Sequence, residues 1–219
     1  MKRILIPTDF SEHSIYALKV AATIARKTES EIYLLHLLDI PGQYGDAIKQ
    51  DAEIPEIMFF IKKVQERFDE MQKADYLKDI SVTVAIHFQK AYEGISQFCK
   101  KEDIDLIVMG SHGTNGFREA YVGSNTEKVV RLSEIPVLVI KKDYDVFDIK
   151  NIVFASDFSK EALNSLKRIK SFADIFDAHL HLLMINTPGN FKTTIEIDNS
   201  MTNFIQSSPI KLNNYSLHS

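Results

Sequence analysis

Cysteine is almost missing from this chain, with Cys99 the one example in 219 residues. A lone thiol excludes a disulfide framework and any zinc site built on several cysteines, and it fits a reducing compartment. A basic excess is missing too. Twenty-six lysines and arginines stand against 30 aspartates and glutamates, a net charge of −4, whereas an extended nucleic-acid surface shows as surplus positive charge. No stretch approaches the ~20 apolar residues that span a bilayer. After Met1-Lys2-Arg3 only Ile4-Leu5-Ile6 precede Pro7, which is too short for a signal peptide. The expectation is a cytoplasmic protein with neither nucleic acid nor membrane as partner. What remains, 45% hydrophobic and 26% charged residues, is the balance of an ordinary globular chain, and the length suits one large domain or two small ones.

An internal repeat decides between those. Lys2-Arg-Ile-Leu-Ile-Pro-Thr-Asp-Phe-Ser11 returns 148 residues later as Lys150-Asn-Ile-Val-Phe-Ala-Ser-Asp-Phe-Ser159. A second pair follows in the same order, Leu37-Leu-Asp-Ile-Pro-Gly-Gln-Tyr44 and Met184-Ile-Asn-Thr-Pro-Gly-Asn-Phe191, offset by 147. Two ordered matches imply a duplicated domain, and the period is far too long for a solenoid. The first copy, 1–143, is expected to be complete. The second, 144–219, has room for strands one to three only, as if it were cut from a longer tandem protein.

Hydrophobic periodicity places the elements of the first copy. Short apolar runs at Ile4–Ile6, Ile32–Leu38, Val82–Ile86, Leu106–Met109 and Val137–Ile140 read as buried strands. Between them lie a helix after Ser11 with Ile15, Leu18, Ala22 and Ala25 on one face, and an amphipathic helix from Pro55 carrying Ile57, Ile61, Val64, Phe68 and Met71. Ile95, Phe98 and Cys99 mark a third helix, and Asn125–Leu132 a fourth. Strict alternation of continuous apolar strands with helices predicts a doubly wound, five-stranded parallel sheet covered on both faces. Such sheets bind ligands beyond the carboxyl ends of their strands, where the strand order reverses. Pro7-Thr8-Asp9 and the run that opens at Gly110 are therefore the segments of interest.

That run is Gly110-Ser-His-Gly113-Thr-Asn-Gly116-Phe-Arg-Glu-Ala-Tyr-Val-Gly123-Ser124-Asn-Thr126-Glu127. Glycine lets a backbone approach a ligand closely, and a helix start offers N–H groups and partial positive charge to an anion. Ser124 and Thr126 could add hydroxyl donors to a phosphate chain lying between the two glycine clusters. A long turn followed by an ordinary capping box, Ser124-x-x-Glu127, explains the same residues. The run lacks the Gly-Lys-Ser/Thr of a Walker loop, and a dinucleotide fingerprint would follow the first strand.

The spacing Gly110-x2-Gly113-x9-Gly123-Ser124 is similar to the G-x2-G-x9-G-S/T signature of ATP-binding universal stress proteins. The opening Ile-Pro-Thr-Asp-Phe-Ser, the strand with His36 and the closing Pro136-Val-Leu-Val-Ile-Lys resemble the same family in the same order. The resemblance implies strand order 3-2-1-4-5, an adenine nucleotide alpha hydrolase-like fold followed by a partial second copy, and ATP held between strands one and four. Carried over by position, Pro7-Thr8-Asp9 and the backbone near Leu37 would hold the adenine and ribose end. Met109 and Gly110 would line the nucleoside, and Gly113, Gly123, Ser124, Asn125 and Thr126 would take ribose and phosphates. Two positions depart from the family pattern: Thr114 replaces a frequent lysine or arginine, and Asn125 an apolar residue. Magnesium accompanying the ATP, Arg118 or Lys128 are then the candidates to neutralise phosphate charge. Family members commonly pair through strand five, which implies a homodimer through the Val137–Ile140 edge.

The remaining ionisable residues have plainer readings. Asp9 suits a turn as well as a ligand, and its return as Asp157 favours a role in the fold as much as one in binding. His112 is expected as a loop histidine rather than a catalytic base, and His36 as a hydrogen-bonded core residue. His179 and His181 share a strand face with no third ligand close in sequence, so no metal site is expected. An ATP-binding regulatory module is the first reading of function. A slow ATP hydrolase, or another nucleotide-using enzyme of related α/β fold, is the alternative, although no triad or paired carboxylates are evident and no catalytic residue is assigned. A phosphoacceptor receiver domain fails, because His87-Phe-Gln-Lys90 stands where its aspartate would be.

Overall fold

The computed structural model describes residues 1–38, 55–113, 123–189, 191–208 and 213–218. By its internal contacts the chain divides into two units, Met1–Asp145 and Val146–Ser219.

Unit 1 runs β1 (Arg3–Pro7), α1 (Glu12–Thr28), β2 (Glu31–Leu37), α2 (Pro55–Gln72), β3 (Val82–His87), α3 (Ala91–Lys101), β4 (Leu106–Gly110), α4 (Ser124–Leu132) and β5 (Val137–Ile140), with a short 3-10 turn at Asp75–Leu77. The strands form one parallel sheet in the order β3-β2-β1-β4-β5. Ile4 pairs with Ile32 on one side and Leu106 on the other, which makes β1 central. Helices cover both sides of it, and Ile4, Leu5 and Ile6 are accordingly wholly buried. α3 and α4 bring Ile95, Phe98, Cys99 and Val129 to the sheet face that carries Leu5, Tyr33 and Leu35.

α1 packs on β1 and β4. It begins where the Ser14 N–H donates to Ser11 Oγ at 3.3 Å, and it ends on Glu29, whose left-handed backbone returns its N–H to the Ala25 carbonyl. Glu12 in the first turn and Arg26 and Lys27 in the last complement the helix dipole. Ala17, Ala21, Ala22 and Ala25 are buried, and these small side chains let the helix lie close to the strands. The approach is close at Gly110, where an added Cβ would sit 2.7 Å from the His13 carbonyl oxygen. Only glycine fits there.

The turn after β1 is built from the residues that recur. Phe10 takes a left-handed φ of 63°. Its N–H donates to Thr8 Oγ1 at 3.0 Å, and the Ser11 N–H donates to Asp9 Oδ1 at 3.1 Å. In unit 2 Phe158 has φ 55°, Phe158 N–H donates to Ser156 Oγ and Ser159 N–H to Asp157 Oδ1, both at 3.0 Å. The repeat is thus one of backbone conformation as well as of letters. Hydrogen bonds from the Ser159 N–H and hydroxyl hold the Asp157 carboxyl below its usual range.

Unit 2 contains β6 (Asn151–Ala155), α5 (Ala162–Phe176), β7 (His179–Leu183), α6 (Thr194–Ser207) and β8 (Tyr215–His218). Its parallel sheet has the order β6-β7-β8, the counterpart of strands one, two and three of unit 1. Leu166 from α5 and Ile197, Met201 and Phe204 from α6 pack with Leu180 and Leu182. Thr193 and Glu196 form a reciprocal capping box at the start of α6. A third histidine, His218, comes within 3.0 Å of His181, where sequence proximity suggested none.

Candidate functional site

A cleft of about 370 Å³ opens beyond the carboxyl ends of β1 and β4, the point at which the strand order reverses. All eleven residues singled out from the sequence line it: Pro7, Thr8, Asp9, Leu37, Met109, Gly110, Gly113, Gly123, Ser124, Asn125 and Thr126. Ser14, Leu35, His36, Ala91, Ile95 and His112 line it as well. The part of the glycine loop between Gly113 and Gly123, with Thr114 and Arg118, lies outside the described residues, and so does the first copy of the second repeat beyond Leu38.

Several side chains in the cleft are committed to holding its walls. Thr8 is buried, and its hydroxyl meets Ser14 Oγ at 3.0 Å while accepting from the Phe10 N–H. Asp9 Oδ1 accepts from the Ser11 N–H and, at 2.5 Å, from the Ser11 hydroxyl. Its other oxygen faces Gly113 so closely that a Cβ there would lie 2.5 Å away. The Thr126 hydroxyl, expected as a donor to a ligand, donates to the Gly110 carbonyl at 2.9 Å and ties α4 to β4. Thr8, Asp9 and Thr126 therefore present mostly shape and backbone.

The capping-box reading of Ser124 and Glu127 does not hold. Gly123 is the N-cap of α4 and has no side chain to cap with, its N–H donates to the Ser111 carbonyl at 2.7 Å, and Glu127 pairs with Arg131. Ser124 is instead an exposed first-turn residue on the cleft. The helix start is left with the dipole and first-turn N–H groups that favour an anion. α3 also points its beginning here through Ala91, and its N-cap, Lys90, makes no side-chain cap.

His36 combines both of its roles. Its Nδ1–H donates to the Thr8 carbonyl at 2.7 Å, and its ring packs on Phe10 at 4.8 Å, which in turn meets Phe68 at 5.2 Å. It is hydrogen-bonded as expected, yet only half-buried and on the cleft wall. Burial pushes its pKa below the usual 6.5. His112 lies 2.9 Å from Ser111 Oγ through Nδ1 and stacks on His13 at 5.3 Å. Among the described lining residues the ionisable groups are Asp9, His36 and His112. Lys128 stands apart from the cleft, 3.9 Å from Glu93 and over the ring of Tyr92.

In this open α/β sheet a glycine-bearing strand end faces an uncapped helix start, whose N–H groups and dipole favour an anion. The chain belongs to the universal stress protein family, whose model matches residues 1–141. It is 32% identical over 156 residues to Universal stress protein MJ0577 of Methanocaldococcus jannaschii, an alignment covering 64% of this chain and 95% of that one. Universal stress protein MJ0531 of the same organism is 28% identical over 152 residues, covering 64% and 82% respectively. A solved universal stress protein from Archaeoglobus fulgidus matches 99% of this chain and 77% of its own with a TM-score of 0.69. At 23% identity that likeness concerns the fold alone. No helix among the described residues is long and apolar enough to cross a membrane.

Proposed function

We propose that unit 1 is an ATP-binding regulatory module and that unit 2 carries no second nucleotide site. The observation that supports this most is the convergence of Pro7-Thr8-Asp9, Met109-Gly110, Gly113 and the uncapped start of α4 on one cleft. Its volume suits a small-molecule ligand. In this reading Met109, Leu35 and Leu37 flank the base, and the Asp9 region and Gly113 border the ribose. The first-turn N–H groups of α4 and the Ser124 hydroxyl receive phosphate oxygens. With no lysine or arginine among the described lining residues, magnesium entering with the nucleotide supplies the countercharge.

Regulation is favoured over hydrolysis because Asp9 is the one carboxylate on the described wall, and one of its oxygens already serves the Ser11 turn. A general base needs a free site within hydrogen-bond reach of the attacking water. We propose also that two chains pair through β5, which among the described residues has one neighbouring strand, β4.

Calorimetric titration with ATP and magnesium tests the reading, with one nucleotide per chain expected. The variant Gly123→Val puts bulk at the phosphate path where a Cβ would make only a 3.4 Å contact with the Ser111 carbonyl, so it should fold and lose binding. A silent titration of a wild-type preparation shown to be nucleotide-free by native mass spectrometry sinks the proposal. A second equivalent of bound ATP contradicts the assignment to unit 1 alone.

A further inference from the structure

The sheet of unit 2 carries a polar block on the face opposite Leu180 and Leu182. Parallel register sets Asn151 beside His179, Val153 beside His181, His181 beside Ser216 and Leu183 beside His218. In unit 1 the pair corresponding to Val153 and His181 is Leu5 beside Tyr33, and both are buried with residues of α3 and α4. Unit 2 leaves Val153 59% exposed and puts an imidazole in place of the tyrosine. Three titratable rings thus share a face that is apolar in the first copy.

The rings meet around one hydroxyl. Ser216 Oγ lies 3.1 Å from His179 Nε2, 2.9 Å from His181 Nδ1 and 2.8 Å from His218 Nε2. On the outer side His179 Nδ1 stands 2.5 Å from Asn214 Oδ1, and His181 Nε2 stands 2.9 Å from Asn151 Oδ1. Amide oxygens only accept, so those outer nitrogens carry the ring protons and the inner ones accept. With neutral rings the network closes. The Ser216 hydroxyl donates to His179 Nε2, and His218 Nε2–H donates to His181 Nδ1, 3.0 Å away. All three strands contribute: Asn151 from β6, His179 and His181 from β7, Ser216 and His218 from β8.

We propose that this cluster is a pH-sensitive latch, which fastens β8 to β7 while its rings are neutral and releases β8 when two of them are protonated. One added proton is accommodated, because a charged His181 donates from Nδ1 to Ser216 Oγ. A second makes two imidazolium rings neighbours. The ring centroids of His179 and His181 are 4.6 Å apart, those of His181 and His218 5.1 Å, and like charges so close disfavour each other. A third leaves more inward N–H groups than one hydroxyl oxygen can accept. Among the described residues the ionisable groups acting on His181 are His179 and His218, so no carboxylate offsets the added charge. Asn151 and Val153 face it from β6 and are uncharged. At the start of β6, Lys150 pairs with Asp148 at 2.7 Å and is also influenced by Asp177. Partial burial, and then the neighbouring rings, hold the His181 pKa below its usual 6.5. Released from β8, the ring returns toward the ordinary value. The latched state therefore binds fewer protons, and its advantage is complete above the ordinary value and lost as pH falls below it. β8 yields first, being four residues long with one neighbouring strand among the described residues. Its departure bares the backbone of β7, an edge able to take another strand.

Amide hydrogen exchange of the full chain, with protection taken relative to an unstructured chain at each pH, tests the latch. Between about pH 7.5 and about pH 5, protection of the Tyr215–His218 amides is expected to fall by about tenfold or more, while Ile32–Leu35 in β2 keeps its protection. The His181→Gln/His218→Gln double variant should show the same β8 protection at both pH values. Unchanged protection of β8 in the wild type overturns the proposal, and so does an equal acid-induced loss in the double variant. Parallel loss in β2 would make the transition global and overturn it as well. Should the double variant misfold, the imidazole resonances of the wild-type chain decide. The three rings must protonate in separate steps, and superimposable titrations centred near the ordinary value of about 6.5 refute the latch.

Discussion

His36 shows how much one side chain can depend on its surroundings. Its Nδ1–H is bound to the Thr8 carbonyl and its ring rests on Phe10, yet burial is the largest influence on it and lowers its pKa from 6.5. The unfolded chain therefore binds a proton at a pH where folded His36 does not. Between the lowered and the ordinary value, acidification favours the unfolded state. His87 and His181 are shifted in the same direction, also chiefly by burial. Thermal stability is expected to fall as pH is lowered from about 7 to about 5, in the range where histidine titrates, and less so in His36→Gln. A melting temperature that rises over that interval would contradict this account. The apolar run of β2 made His36 legible as a strand residue. That its ring also borders a cleft was not legible, because the partner carbonyl and Phe10 belong to the turn after another strand.

At the scale of elements, the contact between α1 and the end of β4 carries a sharper consequence. Gly110 stands in a glycine-rich run, which invites a purely ligand-based explanation. The structure assigns it a packing role as well, because a methyl group there would meet the backbone of His13 at 2.7 Å. Backbone cannot step aside as the end of a long side chain can. Gly110→Ala should cost about 1–3 kcal/mol, the usual penalty for overpacking, measured by denaturant unfolding of unit 1. Gly123→Val should cost less stability while removing nucleotide binding. Equal stability of Gly110→Ala and wild type would show that α1 yields at this point. The start of α4 makes the complementary lesson. Ser124-x-x-Glu127 has the letters of a capping box, but the helix begins one residue earlier, since Gly123 is fastened to the Ser111 carbonyl by its own N–H. A tertiary hydrogen bond overrode a local motif.

For the whole molecule, β5 lies at an edge of the unit 1 sheet and β6 at an edge of the unit 2 sheet, each with a single neighbouring strand among the described residues. An edge with unpaired backbone groups is a template for another chain unless it is covered. If two copies meet through β5, sedimentation velocity should give a dimer that dissociates on dilution, and Val139→Lys on that strand should shift it to monomer. A species of monomer mass at high concentration would exclude the pairing.

The sequence by itself determined the strands of unit 1 to within a residue or two, and the duplicated turn with its Thr8/Ser156 and Asp9/Asp157 pairs. These follow from local rules: continuous apolar runs bury on both faces, and the turn after the first strand recurs with its side chains. The eleven cleft residues came instead from the resemblance to the family, carried over position by position, and the structure brings them together beyond the ends of β1 and β4. Only the tertiary structure decided what individual polar atoms do there. It spent the Thr126 hydroxyl on the Gly110 carbonyl and moved the α4 cap to Gly123. It also brought His218 to His179 and His181 across more than thirty residues of chain. Pairing between strands sets such distances, and strand register is a property of the folded sheet that no short stretch of sequence contains.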